Sequence, residues 1–220
     1  MKKSNIFTHQ KGKNFRWQLL FRVSFVVFFS IIFVELQAQC PTVTAAPSSA
    51  IICSGTKASI VLTSDQMGTA YSWTAVQNDV AGASDGAGTA IECVLASTDE
   101  LSGSAVYTIT PIANGCKGRP VTIVFIVNPT PDIVAAPLTS TISSGSNTSI
   151  VLTSNTAETS FSWTVIRSGV TGASTGSGSV ISQKLTTAAE SGIVTYCITP
   201  NFKGCLGKPI DAKVIVKKHF

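Results

Sequence analysis

Two stretches of this chain carry nearly the same residues 90 positions apart. Ser59-Ile60-Val61-Leu62-Thr63-Ser64 leads to Ser72-Trp73-Thr74 and to Gly82-Ala83-Ser84, and the same letters return at 149 to 154, at Ser162-Trp163-Thr164 and at Gly172-Ala173-Ser174. Beyond Leu95 and Leu185 the offset falls to 89, because one loop is a residue shorter. Tyr107, Ile109-Thr110-Pro111, Gly115-Cys116, Gly118 and Pro120 then match Tyr196, Ile198-Thr199-Pro200, Gly204-Cys205, Gly207 and Pro209. A period of that length, with its tryptophan in register, predicts tandem domains.

Each copy reads as a series of short strands. Tyr71, Trp73 and Ala75 alternate with Ser72 and Thr74, as Phe161, Trp163 and Val165 alternate with Ser162 and Thr164. Such alternation buries one face and leaves the other wet. Clusters of Gly, Ser, Asn and Asp at 64 to 69, 78 to 89 and 113 to 119 supply the turns. Strands are expected near 42 to 46, 57 to 63, 70 to 77, 90 to 95, 104 to 111 and 120 to 128, with a further one around 80 to 84. The second copy repeats them near 132 to 136, 148 to 153, 160 to 167, 179 to 185, 193 to 199 and 209 to 216. Short strands with one tryptophan on the third describe an immunoglobulin-like β-sandwich, so the fold class is all-β, two such sandwiches in tandem. Trp73, Trp163, Tyr107 and Tyr196 are the expected structural core. Asn128-Pro129-Thr130-Pro131 separates the copies, and two prolines in four residues favour a stiff, extended connection.

The first residues read differently. Lys2, Lys3, Lys11, Lys13, Arg16 and Arg22 precede an apolar run from Val23 to Val34, and Glu35-Leu36-Gln37-Ala38 ends on a small residue. That is the anatomy of a secretory signal peptide, expected to be cleaved after Ala38. The apolar run is shorter than the roughly 20 residues a membrane span needs, so no stable span is expected after cleavage. The division is then 1–38 signal peptide, 39–129 first domain and 130–220 second domain. Six of the 16 Lys and Arg and one of the 11 acids lie in the leader, which leaves ten of each and a formally neutral mature chain. A nucleic-acid partner would need a basic stripe, and Lys57, Lys117, Arg167, Lys184 and Lys203 are scattered singly.

Candidate chemistry is sparse. The two histidines are His9, in the leader, and His219, beside the last residue, so a Ser-His-Asp, Cys-His or His-metal arrangement has no place in a folded core. Asp79, Asp85 and Glu92 face Gly169, Thr175 and Ser182 in the second copy, so no acid pair is repeated for general acid/base work or for a calcium loop. The glycines at 82 to 88 and 172 to 178 lack the Lys-Ser/Thr and the helix of a phosphate cradle and are expected to form turns. No catalytic, cofactor or metal residue is expected, and the protein is expected not to be an enzyme.

Ile52-Cys53-Ser54-Gly55, the Ile-Val-Leu-Thr-Ser strand, Ser72-Trp73-Thr74, Tyr107 to Pro111, the run from Asn114 to Pro120 and Val127-Asn128-Pro129 together resemble the PKD-like repeat. This relative of immunoglobulin-like modules recurs in secreted and surface proteins of Bacteroidetes. The resemblance covers nearly all of 41 to 129 and most of 130 to 218. It implies a disulfide between Cys53 and Cys116. Ser143 stands where Cys53 would recur, so Cys205 loses that partner; Cys197 is then its nearest substitute, with Cys40 and Cys93 completing the set. Six cysteines allow 15 connectivities, and residue order does not choose among them. The resemblance further implies a secreted or cell-surface spacer or adhesion unit whose partner is a surface protein or a glycan, bound by strand edges or by the variable loops 96 to 104 and 186 to 192. The alternatives are a carbohydrate-binding accessory module and a truncated, non-catalytic part of a larger type IX secretion cargo. Oligomeric state is not read from the residues.

Overall fold

The computed structural model describes residues 39–218, and the expected signal peptide at 1–38 lies outside the described residues. The described chain forms two successive β-sandwiches with immunoglobulin-like architecture. In the first, β1 (Thr44–Ala46), β3 (Thr56–Thr63), β7 (Ala90–Ser97) and β5 (Val80–Ala81) form one sheet, in the spatial order β1-β3-β7-β5. The second sheet has the order β2-β10-β8-β4-β6, from β2 (Ser49–Cys53), β10 (Val121–Asn128), β8 (Gly103–Ala113), β4 (Ala70–Asn78) and β6 (Gly86–Ala87), with β9 (Cys116–Lys117) folded back on β8.

The second sandwich repeats this plan with a thinner first sheet. There β11 (Val134–Ala136), β13 (Ile150–Thr153) and β16 (Val180–Ile181) pair in the order β11-β13-β16. Opposite them lie β12 (Thr139–Ser143), β19 (Ile210–Lys217), β17 (Ser191–Phe202), β14 (Ser160–Ser168) and β15 (Gly176–Ser177), in the order β12-β19-β17-β14-β15, with β18 (Cys205–Leu206) on β17. Where the first copy pairs β5 with β7, the second keeps an isolated bridge, Thr171 to Thr186, and a further bridge, Asn147 to Lys184, stands where Lys57 pairs with Val94 in the first.

The expected strand positions omit β2 and β12. Chain continuity explains why they are hard to read. The first expected strand ends at Ala46, the Ala46-Pro47 peptide is cis, and the chain crosses to the other sheet, where β2 runs parallel to the edge of β10. Ala136-Pro137 repeats this, and β12 runs parallel to β19. An edge strand of Ser, Ala, Ile, Ile and Cys is only half-covered, so it lacks the alternation by which the other strands are recognised.

Both cores form from inward positions of the two sheets. Ile60, Leu62, Ile91 and Leu95 face Tyr107, Ile109, Ile123 and Phe125 in the first; Ile150, Leu152, Ile181 and Leu185 face Tyr196, Ile198, Ala212 and Val214 in the second. Tyr107 and Phe125 meet edge to face, with ring centroids 6.4 Å apart. Tyr107 and Tyr196 are wholly buried and Trp163 nearly so, whereas Trp73 is only half-buried at the margin of its core. Each indole donates its N–H to a backbone carbonyl in the following turn, Ser84 or Ser174, at 3.2 Å. In the second copy Arg167 adds a 2.7 Å hydrogen bond to the Ala173 carbonyl, and Ala173 is buried where Ala83 is half-buried.

Candidate site at the junction of the two sandwiches

The cysteines do not follow the expected pairing. Cys40 bridges Cys116, with Cα atoms 5.2 Å apart, and Cys53 bridges Cys205 of the other sandwich, with Cα atoms 5.5 Å apart; Cys93 and Cys197 are free thiols. The expected Cys53 to Cys116 bridge is geometrically barred. Cys53 lies opposite Asn128 at the end of β10, next to where Val127 faces Gly103, whereas Cys116 lies opposite Ala113 at the far end of β8. The two ends of β8 are roughly 30 Å apart at about 3.3 Å per residue, far beyond disulfide reach.

The other two expected pairs fail for similar reasons. Cys197 sits mid-strand on β17, opposite Thr164 and Asp211, five residues from the Phe202 that faces Cys205. Burial, aided by a hydrogen bond with Asp211, pushes its thiol pKa up. Cys93 lies on β7 opposite Ala58, in the sheet away from Cys116, and its sulfur meets the Tyr107 hydroxyl at 3.1 Å. In the second copy Gln183 stands at that position and accepts from Tyr196 at 3.0 Å. Cys93 is thus the partner that a buried phenol requires.

A common entry geometry explains the pairs that do form. The chain enters the first sandwich over the β8–β9 hairpin, where the Pro41 carbonyl lies against Gly118 so closely that a Cβ there would collide with it. Cys40, one residue earlier, is thereby delivered to Cys116. Pro131 lies against Gly207 in the same way, so the position delivered to Cys205 is Thr130, which carries no thiol. Cys53 supplies the sulfur instead, because the parallel register of β2 with β10 places it opposite Asn128, two residues before Thr130. The hairpin cysteine of each sandwich therefore bonds whatever thiol lies beside its entry, and for the second sandwich that thiol belongs to the first.

The surrounding residues hold the junction. Asn128 is buried; its carbonyl accepts from the Ser54 N–H at 2.8 Å and its side chain accepts from the Ser102 hydroxyl at 2.8 Å. Ser54 Oγ also accepts from the Ser97 N–H at 2.9 Å, so the loop after β7, one of the two expected binding loops, lies beside the junction. At the entry end of each sandwich, away from the junction in the first and beside it in the second, an aspartate ties the entry segment to the turn after the third strand. Asp65 accepts from the Thr42 N–H at 2.9 Å, and Asp132, in the position of Thr42, accepts from the Ser154 hydroxyl at 2.6 Å and the Asn155 N–H at 2.8 Å. These bonds hold both carboxyl groups below their ordinary range, through the Thr42 N–H first for Asp65 and the Ser154 hydroxyl first for Asp132.

Asp85 and Asp79 have structural partners. Asp85 accepts from the Ala75 N–H at 2.7 Å and Asp79 from the Asn78 amide at 2.9 Å. Among the described residues no three His, Cys, Asp or Glu side chains gather as a metal site, and no helix is long and apolar enough to cross a membrane. A cleft of about 390 Å³ lined by Thr42, Val43, Arg119, Pro120 and Val121 opens at the entry end of the first sandwich.

Comparison with known proteins follows this architecture. A family model described as PKD-like domain matches residues 50–131 and again 140–219. No curated protein matches the chain. Among solved structures, the chain is similar to human mucin-like protocadherin EC1-2, at 9% identity and a TM-score of 0.37 over 80% of this chain and 98% of that one. It is also similar to Sidekick-1 immunoglobulin domains 1-4, at 9% identity and a TM-score of 0.43 over 82% of this chain and 49% of that one. The N-terminal four Ig domains of Dscam1 isoform 7.44 match at 15% identity and a TM-score of 0.38, over 84% and 47%. The chain spans about half the length of those two four-domain structures.

Proposed function

The chain belongs to the PKD-like domain family, in two tandem copies, and on that premise we propose that it is exported, loses residues 1–38 and serves at the cell surface as a non-enzymatic spacer or adhesion unit. The observation that carries this reading is the disulfide framework. Two bridges, one of them between sandwiches, form and persist in an oxidising compartment and not in a reducing cytosol. A neutral mature chain and the absence of histidine from residues 39–218 agree with a role in contact and not in catalysis. Binding then falls to strand edges and to loops outside the junction, such as 186 to 192, because loops on a rigid sandwich change without disturbing its core.

The test is fractionation of native host cells with protease shaving of intact cells. The proposal expects a chain starting at Gln39, in the surface or medium fraction, removed by external protease. A full-length chain in the inner membrane or cytoplasm contradicts it. A glycan array completes the test: one tight, competable sugar would replace protein contact with carbohydrate binding.

A further inference from the structure

The junction is crossed twice by covalent bonds. One crossing is Asn128-Pro129-Thr130-Pro131; the other is the Cys53–Cys205 disulfide. The peptide crossing is anchored at both ends. Asn128 is held by Ser54 and Ser102 in the first sandwich, and Pro131 lies against Gly207 in the second, which leaves Pro129 and Thr130 between the anchors. The disulfide starts beside the first anchor, since Cys53 faces Asn128, and ends on the β17–β18 hairpin beside the second. No ladder runs from one sandwich to the other among the described residues. The two prolines keep this tether extended, yet the Pro129 ψ and Thr130 φ torsions between the anchors still let two rigid bodies turn about it, and a second tether alongside removes that turning.

We propose that the Cys53–Cys205 bridge is the lock of this joint: closed, it makes the two sandwiches turn as one body, and opened by a dithiol it leaves two folded sandwiches hinged at Pro129-Thr130. Neither cysteine belongs to the two core clusters, and the second copy folds with Ser143 in the place of Cys53, so each core is complete without the bridge. Opening is a balanced exchange. A thiolate of the dithiol attacks the Cys53 sulfur, half-buried where Cys205 is almost wholly buried; the S–S bond breaks and Cys205 leaves as thiolate. The second thiol of the dithiol then displaces Cys53, so the dithiol is oxidised to a disulfide while the two cysteines take up two electrons and two protons. The inference concerns how the sandwiches are joined and stands whatever they bind.

The experiment is backbone nitrogen relaxation by NMR on the mature chain, which gives each sandwich its own rotational correlation time. The oxidised protein is expected to show one value shared by both sandwiches. Cys53→Ser, and separately Cys205→Ser, are expected to give two values, each shorter than the shared one, while chemical shifts of core residues such as Tyr107 and Tyr196 stay in place. Dithiothreitol is expected to reproduce the variants at the junction. A shared, unchanged correlation time in both variants would overturn the lock. So would loss of the core shifts in both, because the bridge would then be part of a fold and not of a joint.

Discussion

A buried tyrosine appears at the same place in both copies, and its hydroxyl is satisfied by different chemistry in each. Tyr107 meets the Cys93 sulfur and Tyr196 the Gln183 side-chain carbonyl. A phenol stripped of its partner keeps the full desolvation penalty, so Gln183→Leu is expected to lower stability by about 1–3 kcal/mol in urea unfolding. Cys93→Ser, which keeps a partner for Tyr107, is expected to cost less. Burial raises the pKa of both phenols above 10.0, the ordinary value. The folded state therefore holds these protons more tightly than the unfolded chain. Their stabilisation is complete below pH 10.0 and is lost as pH rises through the folded values. Thermal melts in alkaline buffers are expected to fall in step with the phenolate absorbance, and Tyr196→Phe to blunt that fall. The aspartates act with the opposite sign. Asp65 and Asp132 are depressed, so their contribution is present above the ordinary value of 3.8 and lost as pH falls below it. Asp132→Asn is expected to flatten the acid limb of the melting curve. The acids and phenols are plain in the sequence, but their partners are not. Asp65 and Asp132 occupy different repeat positions and perform the same tie, which no residue-by-residue comparison of the copies exposes.

At the scale of strands, alternation around Trp73, Tyr107, Trp163 and Tyr196 suffices to place the central strands, because a face that must be dry imposes its period on the residues. The edge strands β2 and β12 escaped that logic, and with them the location of Cys53. Parallel pairing with β10 carries Cys53 to the outgoing end of the sandwich, whereas a segment outside the expected strands has no register to place it. Glycine at the edge of β4 is equally dictated by packing. Gly86 faces Trp73 directly, and a Cβ there would stand 2.7 Å from the indole; Gly176 and Trp163 repeat this at 2.8 Å. Gly176→Ala is expected to destabilise the second sandwich by roughly 1–3 kcal/mol, as overpacking does. The loss is expected to be smaller at Gly86, because Trp73 is less enclosed, and separate melting of the two variants checks this. Cys40→Ser opens a ring with a sequence separation of 76. On the chain-entropy model its loss is expected to cost the first sandwich up to about 4 kcal/mol.

At the scale of the molecule, two copies of one module differ mainly in how they meet their neighbours. Each receives the preceding chain over its hairpin, and each hairpin carries a cysteine. The first finds its partner in its own lead-in at Cys40, and the second finds it in the outgoing edge of the sandwich before it. The tandem plan is legible in the 90-residue offset. The connectivity is not, because it depends on which ends of the strands meet, and that is a property of register and not of spacing. Ser143, in the position of Cys53, reads as a lost bridge within the second copy, whereas in the structure the sulfur bonded to Cys205 comes from the first sandwich. The measurement that bears most directly on this arrangement is peptide mapping by mass spectrometry of the unreduced protein, with free thiols alkylated first. The account predicts peptides joining Cys40 to Cys116 and Cys53 to Cys205, with Cys93 and Cys197 alkylated once the chain is unfolded. A peptide joining Cys53 to Cys116 would contradict it.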